Sequence, residues 1–149
     1  MAKHPIRVET FVNAPIEEVW HAYTTPEHIT RWNFASADWC CPRAEVDLRP
    51  GGRQSARMEA KDGSMGFDFG GTYEEVMPPE ALTLILDDGR KSRTTFETKT
   101  GGTLVTTLFD PEDEHPEDLQ RDGWQAILDS FKSHVESTSR HKATGISER

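Results

Sequence analysis

The sequence predicts an α+β fold: one antiparallel sheet of about seven strands curled around a long C-terminal helix, with two short helices after the first strand. Three observations carry this. The middle of the chain is punctuated by turn signals, "RPGGR" (49–53), "KDGS" (61–64), "MPPE" (77–80), "DDGR" (87–90) and "TGGT" (100–103). Asp-Gly and Gly-Gly favour tight hairpins because glycine accepts positive φ. The segments between these turns are short and alternate apolar with polar residues. Finally, a stretch opening at Pro116 carries a helical apolar stripe and is the only element long enough to cover a sheet with one apolar face.

In order, "IRVETFV" (6–12) reads as the first strand. A helix follows "NAP" (13–15), with Ile16, Val19, Trp20 and Tyr23 at helical spacing. A second, short helix starts at "TPEH" (25–28). There Thr25 is the expected cap, Pro26 suits the first turn, Glu27 favours the positive end of the dipole, and the helix should end near Trp32. A short strand is expected near Ala44–Leu48. Residues 53–60 put Ala56, Met58 and Ala60 on one face, and 65–76 put Met65, Phe67, Phe69 and Tyr73 on one face. Residues 81–87 alternate Leu82, Leu84 and Leu86, and 91–99 and 103–109 are rich in threonine, valine and phenylalanine. The pair Gly70–Gly71 reads as a β-bulge that bends the sheet. In the last helix, Trp124, Ile127, Leu128, Phe131 and Val135 form the stripe. Residues 1–138 therefore read as one domain, and 139–149 as a flexible tail without an apolar pattern.

Composition limits the function. A chain of 149 residues suits a single core. Net charge is −9 with no basic stripe, which argues against nucleic acid and anionic membrane as partners. The N-terminus has no apolar signal region and no segment approaches spanning length, so a cytoplasmic location is expected. Cys40 and Cys41 are the only cysteines. Their α-carbons are about 3.8 Å apart across a trans peptide, whereas an unstrained disulfide wants roughly 4.4–6.8 Å, so a structural bridge is not expected.

The residues also carry a family likeness. "VETFVNAPIEEVWHAYTTPEHITRW" (8–32) resembles the opening of the SRPBCC, or START-like, superfamily. "RPGGRQSARMEAKDGSMGFDFGGTYEEVMPPEALTLILDDGR" (49–90) and "GWQAILDSFKSHVE" (123–136) look like its branch named after the activator of the 90-kilodalton heat-shock protein ATPase, the AHSA-like domain. The resemblance covers roughly 5–138 and implies the helix-grip fold. It further implies a cavity between sheet and long helix that holds an apolar small molecule; some branches of the superfamily bind lipids or hormones, and some cyclise polyketides.

In such a fold the stretch "WNFASADWCCP" (32–42) would lie at one end of the cavity. Trp32, Phe34 and Trp39 then read as a lid or wall, against the plainer reading that they plug the core edge. The remaining lining is expected from Met58, Phe67, Phe69, Tyr73, Trp124 and Leu128, residues that are core on either reading. Gln54 shares the parity of Met58 and should point inward, while Asp68 and Glu59 should face solvent. Ala56, Ala60 and Gly123 are small enough to leave space. Gly123, in a helix interior, marks either the close approach of another segment or room for a ligand.

No metal and no cofactor are expected. The histidines at 4, 21, 28, 115, 134 and 141 are scattered, and the vicinal cysteines lack partner ligands. "GFDFGG" (66–71) is no phosphate loop, since it lacks the following Lys-Ser/Thr and sits in a strand. His115 reads as a residue at the start of the long helix rather than a general acid or base, and no catalytic triad can be assembled from spacing. Three classes stand: a binding module for an apolar or amphipathic small molecule, a chaperone-interaction protein, and a cyclase or hydrolase of a hydrophobic substrate. A chaperone or a second copy of the chain are the alternative partners. The volume and lining of the cavity discriminate among the three.

Overall fold

The structure, a computed structural model, describes residues 4–147, with side chains described as far as residue 138. The elements run β1 (Ile6–Val12), α1 (Ile16–Thr24), α2 (Pro26–Trp32), β2 (Trp39–Val46), β3 (Arg53–Ala60), β4 (Gly66–Met77), β5 (Ala81–Leu86), β6 (Lys91–Lys99), β7 (Gly102–Phe109) and α3 (Glu117–Ser147). The seven strands form one antiparallel sheet in the order β1-β7-β6-β5-β4-β3-β2. It is a meander from β2 to β7 that β1 joins at the far edge. This is the α+β helix-grip arrangement. The helical assignment of α3 reaches Ser147, while the side chains of the expected tail, 139–149, lie outside the described residues. Among the described residues, no helix is long and apolar enough to cross a membrane.

The turn chemistry acts as expected. Gly51, Gly63, Gly89 and Gly101, one in each of the four glycine-bearing turns, have φ of 85, 80, 93 and 87°, which L side chains rarely adopt.

Three local expectations differ. β2 begins at Trp39, five residues earlier than alternation indicated. Its register with β3 shifts between Cys40 and Arg43, so the apolar phase breaks there, and Pro42 is tolerated because β2 is an edge strand. Second, Gly70 and Gly71 are not a bulge: they pair regularly with Ser55 and Gln54, and the register of β4 against β5 shifts instead between Tyr73 and Glu75. The two glycines permit close approach of neighbouring strands, since a Cβ would stand 2.4 Å from the Gln54 carbonyl oxygen at position 70 and 2.4 Å from that of Ile85 at position 71. Third, Thr25 occupies the N-cap of α2 without a side-chain capping bond; its Oγ1 instead lies 3.2 Å from His21 Nδ1.

The helices cover the sheet unevenly. α3 runs closest to β1, α1 and α2, and α2 packs against β2. On β1 the buried phase is Ile6, Val8, Thr10 and Val12, while the free-edge backbone groups of the odd positions are met by α3. Gln125 Nε2 donates to the Glu9 carbonyl (3.0 Å) and Lys132 Nζ to that of Phe11 (2.6 Å). Glu136 Oε2 accepts from the Asn13 amide (3.0 Å). An edge that would otherwise be a template for pairing is thereby occupied.

Candidate functional site

Because α3 leans on the β1 edge, the concave centre of the sheet is not closed by helix backbone. Side chains bridge the gap and leave a cavity of about 370 Å³ between α3 and the sheet, lined from β1 and from β3 to β7, at the small end of the range for ligand sites. One end is sealed by an aromatic cluster. Tyr23 stacks on Trp32 at 5.2 Å, and Phe131 stands edge-on to both, at 5.2 and 4.9 Å. Phe96 packs edge-on against Tyr23 and Trp20, each at 5.3 Å. Trp32 Nε1 donates to the Ala22 carbonyl (2.9 Å), which ties the ring across from α2 to α1. On the helix side, Trp124 lies flat on Phe109 at 3.9 Å and meets Phe69 at 6.3 Å.

Of the residues expected to line the cavity, Trp32, Met58, Phe67, Phe69, Trp124 and Leu128 do so. Tyr73 does not: it is fully buried beneath the wall, and its hydroxyl donates to Gln54 Oε1 (2.7 Å). Trp39 stands outside, edge-on to Phe67 at 5.8 Å, and buttresses that ring at the mouth. Phe34 packs on the core away from the lining. Thus Trp32 serves as a locked wall, and the exposed mouth residue is Phe67, 48% accessible. Gln54 points inward as its parity required. Asp68 faces solvent, beside Arg57.

Sequence reasoning did not place Val8, Leu84, Leu86 and Ile127 in the lining, nor the polar residues Asn33, Thr107, Tyr23, Arg90 and Ser92. Parity could have found the last two, since Arg90, Ser92, Thr94 and Phe96 share one face of β6 and its leading residue. The expected sources of space also differ. Neither Ala56, Ala60 nor Gly123 lines the cavity, and a Cβ at Gly123 would meet nothing within 4 Å. The volume arises from where the helix docks.

The lining is mostly apolar, and its polar members are Tyr23, Asn33, Gln54, Arg90, Ser92 and Thr107. Tyr23 Oη, Thr94 Oγ1 and Thr107 Oγ1 satisfy one another, at 3.3 and 2.8 Å. Burial pushes both tyrosine phenols, Tyr23 and Tyr73, above the ordinary value, so both stay protonated at neutral pH. Arg90 Nε donates to Asp88 Oδ2 (2.7 Å) and its Nη1 to the Asp110 carbonyl (3.3 Å).

The other singled-out groups lie elsewhere. Cys40 and Cys41 are free thiols on β2; Cys41 is buried, its Sγ donates to the Arg43 carbonyl (3.5 Å), and burial raises its pKa, which disfavours a nucleophilic thiolate. His115 sits in the loop before α3, where Glu112 Oε1 accepts from its backbone amide (2.8 Å) and lies 3.1 Å from Nδ1. Glu112, Glu114 and His115 are the group of potential metal ligands found among the described residues; they lie at the surface, away from the cysteines.

A curled seven-stranded sheet gripping one long helix, with an apolar cavity between them, defines a ligand-binding class of fold. The family model described as "Activator of Hsp90 ATPase homolog 1-like protein" matches residues 13–136, and the chain belongs to that family, within the SRPBCC superfamily. Among solved structures, it is similar to an AHSA1-like protein from Aeromonas hydrophila, with 45% identity, a TM-score of 0.86, and 91% of this chain and 94% of that one covered. A protein from Cytophaga hutchinsonii is 45% identical with a TM-score of 0.77, covering 92% and 95%. One from Chromobacterium violaceum is 25% identical with a TM-score of 0.80, covering 90% and 99%. A search of curated proteins found no significant match.

Proposed function

We propose that this protein binds a small apolar or amphipathic molecule in the cavity between α3 and the sheet. The observation that carries this is the 370 Å³ space itself, walled by Trp124, Leu128, Phe69, Met58 and the locked Trp32. A core of such side chains would ordinarily close at crystal-like density. The lining residues include no Asp, Glu, His or Cys, so they offer hydrogen-bond donors rather than an acid–base pair, which favours binding over cyclisation or hydrolysis. Of the exposed large apolar side chains, Met65 precedes β4, Phe67 and Met77 stand near its two ends, Leu108 is on β7 and Leu119 on α3. Only Met65 and Phe67 are neighbours, so a broad chaperone-docking patch has less support than the cavity.

Tryptophan emission titrated with fatty acids, flavonoids and small aromatic acids tests the reading. A saturable change is expected from at least one of them, weakened by Trp124→Leu. A flat response across the panel would sink it and return attention to a protein partner.

A further inference from the structure

The polar end of the cavity specifies a head group. Gln54, on β3, has its amide orientation set by Tyr73, whose hydroxyl donates to Oε1; Nε2 is left without a partner among the described residues. Ser92, on β6, is 6% exposed and lines the cavity, yet its hydroxyl pairs with no described group. Arg90 uses Nε and Nη1 on Asp88 and the Asp110 carbonyl, and Nη2 is unpaired among the described residues. No fully enclosed polar side-chain atom lacks a partner among the described residues, so these unpaired donors keep some accessibility, and all three residues line the cavity.

Gln54 and Arg90 lie on one row of the sheet, with β4 and β5 between them. Gln54 pairs with Gly71, Gly71 with Leu86, and the Leu86 amide donates to the Arg90 carbonyl (2.7 Å), which makes one row across the strands. Arg90 and Ser92 are two apart and share a face. Arg90 Nη2 and Gln54 Nε2 can only donate, and the Ser92 hydroxyl can donate. Of the lining residues, Arg90 alone is cationic. It is already shared with Asp88, whose side chain is 53% exposed and therefore screened. One partly neutralised guanidinium suits a monoanion rather than a phosphate dianion.

We infer that the cavity takes a small apolar monocarboxylate, with its head group received by Arg90, Ser92 and Gln54 and its body directed towards Met58 and Trp32. The inference rests on the cavity being the binding site. The volume equals that of about a dozen waters at roughly 30 Å³ each, which suits a one- or two-ring acid better than a sterol.

Isothermal titration of the full chain at pH 7.5 with 2-naphthoate and with its methyl ester tests this. The acid is expected to bind about ten-fold more tightly than the ester, as a charge-assisted hydrogen bond contributes. Arg90→Met should erase that preference while ester binding persists, and Ser92→Ala should weaken the acid several-fold. The wild-type comparison needs no variant, so a misfolded Arg90→Met leaves the test intact. Equal affinity of acid and ester in the wild type, or an unchanged ratio in folded Arg90→Met, overturns the head-group assignment while leaving the cavity reading standing. No binding of either molecule overturns both.

Discussion

Two glycines of this chain have opposite tolerance for a single methyl group, and the reason is geometric. At Gly71 a Cβ would press on the Ile85 carbonyl oxygen at 2.4 Å and on the Leu86 Cα at 3.0 Å, both backbone atoms that cannot swing aside. At Gly123, inside α3, nothing lies within 4 Å and φ is not in the left-handed region. Gly71→Ala is therefore expected to cost about 1–3 kcal/mol, as overpacking does, whereas Gly123→Ala should gain up to about 1 kcal/mol from helix propensity. Urea unfolding of both variants decides the matter; equal signs would mean that the strand spacing or the helix position is wrong. The sequence marked both residues as unusual. It misjudged why, because whether a glycine is needed depends on what stands opposite it.

At the scale of elements, α2 and α3 meet through a pair of histidines. His28 Nδ1 and His134 Nε2 lie 2.8 Å apart, so one ring donates and the other accepts, and at least one must be neutral. His21 stands edge-on to His28 at 5.2 Å. Burial first, then the charges of His21 and Arg31, lowers the pKa of His28, against a smaller opposing effect of Glu27. Burial, then His28 and Arg31, lowers that of His134. A histidine whose folded pKa is depressed binds protons more readily in the unfolded chain, so stability rises with pH and is complete above the unfolded value, about 6.5. As pH falls below 6.5 towards the folded values, this contact should weaken. Thermal melts at pH 7.5 and 5.5 should show a drop that shrinks in His134→Gln; an undiminished drop in that variant would assign the pH sensitivity elsewhere. The three helices, the turns and the strand count were legible from spacing alone. This contact was not, since 106 residues separate its partners.

For the whole molecule, the decisive feature is where α3 rests. Gln125, Lys132 and Glu136 answer the free edge of β1, and α2 covers β2, so the two sheet edges are occupied and the middle is left concave. Replacing Gln125, Lys132 and Glu136 together by alanine should remove roughly 1 kcal/mol per lost bond. The amides of Glu9 and Asn13 should then exchange with deuterium faster than in the parent protein, while Val105 in the sheet interior keeps its protection. Unchanged exchange at Asn13 would show that the helix does not hold this edge.

The sequence by itself determined the elements, their order, the family and most of the apolar lining. Those follow from local periodicity, turn chemistry and strand parity, each of which acts over a few residues. Tertiary structure alone decided the rest. The register shift between Cys40 and Arg43 reversed parity where alternation appeared to fail, and placed Trp39 as a buttress rather than a lid. The tilt of α3 onto β1 produced the cavity. The bond from Tyr73 occupies the Gln54 Oε1 and fixes the orientation of its amide. Each of these depends on the distance between segments remote in the chain, and a residue's type does not encode which distant backbone group will stand opposite it.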